Sequence, residues 1–300
     1  MKQKIKSMML PIAIVGGALF YKWMGYLTFL SPYLIFVMLT ITYCRIEPKD
    51  FKIQPFHGVM LVAQLLLSAI TYFALVPFDD ILATGVFICV FIPTATAAPV
   101  ITGMLGGSIS MLATYSLVSN LAVALLGPVI LAAIGEHPEM TFQQSFSYIC
   151  SLVLPLLVLP IIVAFIMRYS WKRFHDALAN HQSISFYLWA LALFIVVGSS
   201  VSFVIKNFTV RNLWIMLGLA FGALVVCLIQ FGVGRLIGRR FGDKVSGTQG
   251  LGQKNTVLAV WLAIAYLNPI ASVAPASYVA WQNILNSIQI IRHRKKQGEG

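Results

Sequence analysis

The chain has 300 residues, 59% of them hydrophobic and only 10% charged, with a mean hydropathy of +0.86. Soluble domains are about 45–50% apolar and about 25% charged, so a soluble enzyme is excluded. The net charge of +12 is then read by where Lys and Arg sit relative to membrane spans, and not as a nucleic-acid footprint.

The chain opens with Lys2, Lys4 and Lys6 before an apolar run that no small-x-small cleavage site closes, so it reads as a first span and not as a removable leader. Since a hydrocarbon core takes roughly 20 apolar residues, spans are predicted at 8–24, 28–44, 57–77, 81–105, 109–134, 144–168, 184–205, 212–234, 245–267 and 270–291. The expected fold is an all-α polytopic membrane protein of ten transmembrane helices. With both ends on one side, that side gathers Lys2, Lys4, Lys6, Arg45, Lys49, Lys52, Arg168, Lys172, Arg173, Arg235, Arg239, Arg240, Lys244, Arg292, Arg294, Lys295 and Lys296. The other side keeps Lys22, Lys206 and Arg211, with Asp79, Asp80, Glu136 and Glu139 in its loops. Both termini are therefore expected in the cytoplasm, with the chain in the cell (inner) membrane. Cys44, Cys89, Cys150 and Cys227 lie far apart in apolar stretches and read as buried, inert thiols. Trp23, Trp171 and Trp214 fall near span ends, where interfacial aromatic anchors sit.

Two spans do not read as plain helices. The fourth runs through Pro93-Thr94-Ala95-Thr96-Ala97-Ala98-Pro99 to Thr102 and Gly103, and each proline removes a backbone donor. The ninth enters through Ser246-Gly247-Thr248-Gln249-Gly250-Leu251-Gly252-Gln253-Lys254-Asn255, a polar run carrying an ammonium inside a span. Pro93, Pro99, Gly250 and Gly252 are the expected helix-breaking residues. The interruptions occupy the fourth span of each set of five, residues 1–134 and 135–300. An odd number of helices per half inserts the second half upside down, giving two inverted five-helix repeats. Matching interruptions in inverted halves point to a secondary transporter with its site near the bilayer midplane. There is no Walker A motif and no cofactor motif. His57, His137, His175, His181 and His293 fall in loops or ends, and no paired-acid or nucleophile constellation is present, so the chain is not expected to be an enzyme.

These residues resemble the bile acid:sodium symporter family over nearly the whole chain. The resemblance implies a panel domain of spans 1, 2, 6 and 7 and a core domain of spans 3–5 and 8–10, in which broken helices 4 and 9 cross. It also implies alternating-access transport of bile acids or smaller carboxylate metabolites, usually with two sodium ions. The family's Pro-Gly-Gly-Thr-Ala-Ser-Asn is met here by Pro93, Thr96 and Ala97, but its Ser-Asn sodium ligands become Ala98-Pro99. The later hydroxyl ligands of that family site fall at Leu112 and Ser116, and only Ser116 can still coordinate. The family's Glu-x-Gly-x-Gln-Asn aligns with Gly250-Leu251-Gly252-Gln253-Lys254-Asn255, replacing the shared glutamate by Gly250 and the second-site glutamine by Lys254. Gln64 keeps the span-three glutamine, and Trp281-Gln282-Asn283 stands where the family has Trp-His-Asn.

All nine acidic residues map to loops, ends or the tail, so no carboxylate is expected at depth to hold sodium. Lys254 is expected to replace that cation, donating to Gln64 and to carbonyls of the unwound chain, which makes transport sodium-independent. A permanently charged Lys254 implies facilitated diffusion or exchange, and a titrating one implies proton linkage. The substrate expected is a small organic anion, near Thr96, Thr102, Gln253, Asn255, Gln282 and Asn283. Two alternatives stay open: a sodium-coupled symporter with ion sites rebuilt from Gln249, Thr248, Ser116 and backbone carbonyls, and a non-transporting membrane sensor.

Overall fold

The computed structural model describes residues 12–45, 51–95, 98–135, 140–181, 183–206 and 209–297. In chain order the helices are α1 (12–19), α2 (Tyr21–Leu27), α3 (Ser31–Cys44), α4 (Pro55–Leu75), α5 (Asp80–Phe91), α6 (Ala98–Met104), α7 (Ile109–Ile134), α8 (Phe142–Ser170), α9 (Lys172–Asn180), α10 (Ser183–Lys206), α11 (Val210–Arg240), α12 (Lys244–Gly252), α13 (Thr256–Tyr266) and α14 (Val273–Gln297). The described residues form no strand. Among the described residues six helical runs are long and apolar enough to cross a membrane: Tyr21–Cys44, α4, α7, α8, α10 and α11, with α5 and α13 as shorter apolar helices. That is the make-up of a polytopic membrane protein.

At the first predicted connection the structure differs locally from the expectation. A turn was expected near residues 25–27, between spans 8–24 and 28–44, but that stretch stays helical and joins α3 through a single 3-10 turn, Thr28–Leu30. Nothing in Gly25-Tyr26-Leu27 removes a backbone donor, and Pro32 sits in the first turn of α3, where its missing N–H costs nothing. Elsewhere local signals set the starts. Gln54 and His57 form a reciprocal cap on α4, Asp79 accepts from the Leu82 amide to open α5, and Thr141 with Gln144 caps α8. Trp23, Trp171 and Trp214 are exposed, as interfacial anchors are.

The chain folds as two compact units, one from 1–46, 124–214 and 257–272, the other from 47–123, 215–256 and 273–300. The first is built on α10, against which α2 and α3 pack, while α3 also packs on α8 and α9. Backbone approach there depends on glycine, since a Cβ on Gly17 would lie 2.4 Å from the Phe194 carbonyl oxygen. The Ser199 hydroxyl donates to the Met24 carbonyl at 3.1 Å across the same contact.

The second unit holds both helix breaks. Residues Ala83 to Phe91 of α5 are all buried, and so are Ser246 to Gly252 of α12. Asp243 pins the turn before α12: Oδ1 accepts from the Val245 and Ser246 amides, while Oδ2 accepts from the Ser108 amide at 2.7 Å and from the Ser246 hydroxyl. Partial burial pushes this carboxyl up, but the hydrogen bonds from Ser246, Ser108 and Val245 outweigh it and hold the group below its ordinary range. A depressed folded-state pKa supplies stability above the unfolded value of about 3.9, lost as pH falls through the folded value. Asp243→Asn is therefore expected to lower the melting temperature at pH 7 and to flatten its decline below about pH 4. Equal acid sensitivity of the two proteins in detergent would remove Asp243 from that role.

Candidate functional site at the meeting of the two helix breaks

α5 ends at Phe91 and α6 starts at Ala98, while α12 ends at Gly252 and α13 starts at Thr256. The two extended segments between them pair antiparallel. The Ala95 amide donates to the Gln253 carbonyl and the Asn255 amide to the Pro93 carbonyl, both at 2.9 Å, so Thr94 and Lys254 face one another in an isolated bridge. Unwound backbone at membrane depth must have its polar groups paired by protein or water, and here the breaks satisfy each other. The side chains complete the pairing. Thr94 Oγ1 donates to the Gly250 carbonyl at 2.7 Å, and Tyr278 Oη donates to the Gly252 carbonyl at 2.8 Å.

Lys254 is 1% exposed. Its Nζ donates to the carbonyls of Val90 at 2.9 Å and Ile92 at 3.1 Å, the unsatisfied end of α5. A helix C-terminus carries a partial negative charge from those carbonyls, so the ammonium sits where a cation is stabilised. Its backbone is held as well: Gln282 Oε1 accepts from the Lys254 amide at 2.9 Å and Gln282 Nε2 donates to the Lys254 carbonyl at 3.4 Å. Among the described residues the acids Asp79, Asp80, Asp176 and Asp243 sit at helix starts or in α9, and none is bonded to Lys254. The described residues also contain no cluster of His, Cys, Asp and Glu fit for a metal ion.

Gln64, expected to receive the ammonium, instead works beside it. Its Nε2 donates to the carbonyls of Phe91 at 2.7 Å and Ile92 at 3.2 Å, and its Oε1 accepts from Tyr115 Oη at 2.7 Å and Ser119 Oγ at 2.9 Å. The Gln64 acceptor is thus already filled, and lysine and glutamine share the end of α5 as two donors.

Other expected residues divide. Gln253, Lys254, Asn255 and Gln282 come together at the breaks, and all four are buried. Thr102 is buried on α6 with Oγ1 unpaired, and Gln249 turns to α14, donating to Asn286 Oδ1 at 3.1 Å. Asn283 bonds its own helix at the Val279 carbonyl, Thr248 bonds back to Lys244, and Ser116 is buried on α7 with its carbonyl accepting from Asn120. Thr96 lies outside the described residues. Pro93 stands inside the first break, but Pro99 lies in the first turn of α6. Gly250 and Gly252, expected to break the helix, stay inside α12, and the break starts at Gln253. Their role is space. A Cβ on Gly250 would lie 2.7 Å from Met60 Cε and 3.1 Å from the Tyr115 ring, and one on Gly252 would lie 2.3 Å from the Phe231 ring. A glutamate at position 250 has no room here.

Tyr115, Ser119, Thr94 and Tyr278 were not anticipated, because each acts through a partner far away in the sequence. No known protein family matches the chain, and no curated protein matches its sequence.

Proposed function

We propose that the chain is a secondary transporter that moves an organic anion by alternating access without sodium, as a divergent relative of the bile acid:sodium symporters. The observation that carries this reading is the Lys254 ammonium on the Val90 and Ile92 carbonyls at the meeting of two broken helices. In transporters with broken helices, unwound carbonyls and half-helix C-termini hold the coupling cation. Here a tethered ammonium fills that role, and no described carboxylate competes for it. An ammonium with no described carboxylate bonded to it, together with the neutral amides of Gln253, Asn255 and Gln282, suits a bile acid-like or smaller carboxylate substrate. In this proposal the chain lies in the cell membrane as ten spans in two inverted repeats, with both termini cytoplasmic. The sodium-coupled alternative retains an acceptor in Gln249 Oε1, which is buried without a partner, and a comparison of salts decides between the two.

The test needs no known substrate. The purified protein should melt at the same temperature in sodium chloride as in choline chloride at equal ionic strength. Ligand at 100 times its Kd would stabilise a native site by about 2.7 kcal/mol, or roughly 5–11 °C at ~2–4 °C per kcal/mol. A saturable sodium-specific rise of that kind would overturn sodium independence. Uptake of radiolabelled steroid and keto-acid anions into proteoliposomes then separates a transporter from a sensor.

A further inference from the structure

α14 carries Gln282, Asn286, Gln289 and His293 at steps of four, three and four, which puts them on one face of the helix. α12 meets that face with Gln249, and Gln253 follows four residues on as the C-cap of the same helix. Gln282 holds the Lys254 backbone, and Gln249 Nε2 donates to Asn286 Oδ1 at 3.1 Å and to Gln289 Oε1 at 3.2 Å. His293 Cε1 would lie 3.6 Å from a Cβ on Gly106, beside the turn where Ser108 bonds Asp243. From Gln282 to His293 the helix rises about 16 Å at ~1.5 Å per residue. That is half of a hydrocarbon core of about 30 Å, so the amide face leads from the level of Lys254 to one membrane surface.

Gln282 and Asn286 are buried and Gln289 and His293 are partly buried, but the hydrogen bonding of the face is incomplete. Gln249 Oε1, Gln253 Oε1 and Asn286 Nδ2 are buried without partners, as is Thr102 Oγ1 on α6, which packs on α12. Each unpaired buried group costs about 1–3 kcal/mol, and a buried polar position with several such groups is where water binds. α5, which reaches the other break segment, carries no unpaired buried polar side chain, and its Thr84 hydroxyl bonds back to the Asp80 carbonyl.

We propose that the amide face between α12 and α14 is a hydrated access path, a file of water that reaches Lys254 only from the end of the unit bearing Asp243, Lys244, Arg292 and Lys295. Neutral amides pair with water without trapping ions, so the file brings solvent from one side of the membrane to the Lys254 backbone that Gln282 holds. The proposal rests on the membrane placement of the chain and not on transport, and hydration is read without any flux.

The test is thiol labelling of Gln249→Cys, Asn286→Cys and Gln289→Cys in sealed proteoliposomes with a membrane-impermeant, positively charged methanethiosulfonate. Ile284→Cys, on the exposed apolar face of α14, is the control, and the wild-type protein with its own cysteines sets the background. Because a thiol reacts as the thiolate and only where water reaches it, the amide-face positions should label at least ~10-fold faster than Ile284→Cys. That labelling should come from one side only. Rates no greater than the control at positions on both helices overturn the path, and equal labelling from both sides overturns its one-sidedness. Three positions on two helices leave a reading if one variant fails to fold.

Discussion

Replacing Lys254 by methionine should cut anion uptake at least about ten-fold while the protein still folds. The substitution keeps the unbranched stem and removes the ammonium, leaving the Val90 carbonyl without that donor, while the Ile92 carbonyl keeps its bond from Gln64 Nε2. One orphaned carbonyl costs about 1–3 kcal/mol, a loss that shows as a lower melting temperature without unfolding the chain at room temperature. Hydrogen bonds to a charged group are worth about 1.5–3 kcal/mol each, so a site that depends on this cation should lose roughly ten- to a hundred-fold in uptake. Lys254→Gln is the sharper comparison. It restores the glutamine of the symporter family, but not the glutamate that the family has at position 250, where Met60, Tyr115 and Leu112 already fill the space. Lys254→Gln should therefore lose transport without gaining sodium dependence. Wild-type uptake by Lys254→Met would sink the tethered-cation role, and sodium-stimulated uptake by Lys254→Gln would show that the sodium site survives in this scaffold.

Both breaks were legible in the sequence because their causes are local. Pro93 cannot donate a helical hydrogen bond, and the polar run around Lys254 cannot face lipid; α5 and α12 end within a few residues of them. What each residue does there was not legible, because the partners are distant in the chain. Gln64 meets Tyr115 and Ser119 across 51 and 55 residues, and Thr94 reaches Gly250 across 156. Glycine was misread for a related reason. Its permissive backbone suggested unwinding at Gly250 and Gly252, whereas neighbouring side chains press on those positions and need the missing Cβ while the helix continues. The connection expected between spans 8–24 and 28–44 came from span length alone, and nothing in Gly25-Tyr26-Leu27 imposes a break there. A further signal was present but unused: Gln282, Asn286 and Gln289 share one face of α14, and an amide stripe on a buried helix marks a polar partner.

The largest stability effect should come from Gly247→Ala, well away from Lys254. On α11, Gly234 and Gly238 are four residues apart, the small-xxx-small spacing that lets membrane helices approach closely. Gly247 of α12 lies against them: a Cβ there would fall 2.2 Å from the Gly234 carbonyl oxygen and 2.7 Å from Gly238 Cα. Those atoms are backbone, so no side chain can rotate away and the two helices must separate. Overpacking costs about 1–3 kcal/mol even where side chains can shift, and a clash with backbone should lie at or above the top of that range. Gly234→Ala should behave in the same way. Gly232→Ala is the control, because Gly232 is exposed with nothing within 4 Å of its Cβ position, and the better helix former should stabilise by about 0.5–1 kcal/mol. Thermal unfolding in detergent separates the cases. A melting temperature for Gly247→Ala equal to that of Gly232→Ala would mean that α11 and α12 are not in backbone contact. Because α12 leads directly into the break at Gln253, moving it off α11 must also strain the Thr94 to Lys254 pairing. Gly247→Ala protein that remains folded should thus lose uptake, although its substitution lies seven residues before the ammonium.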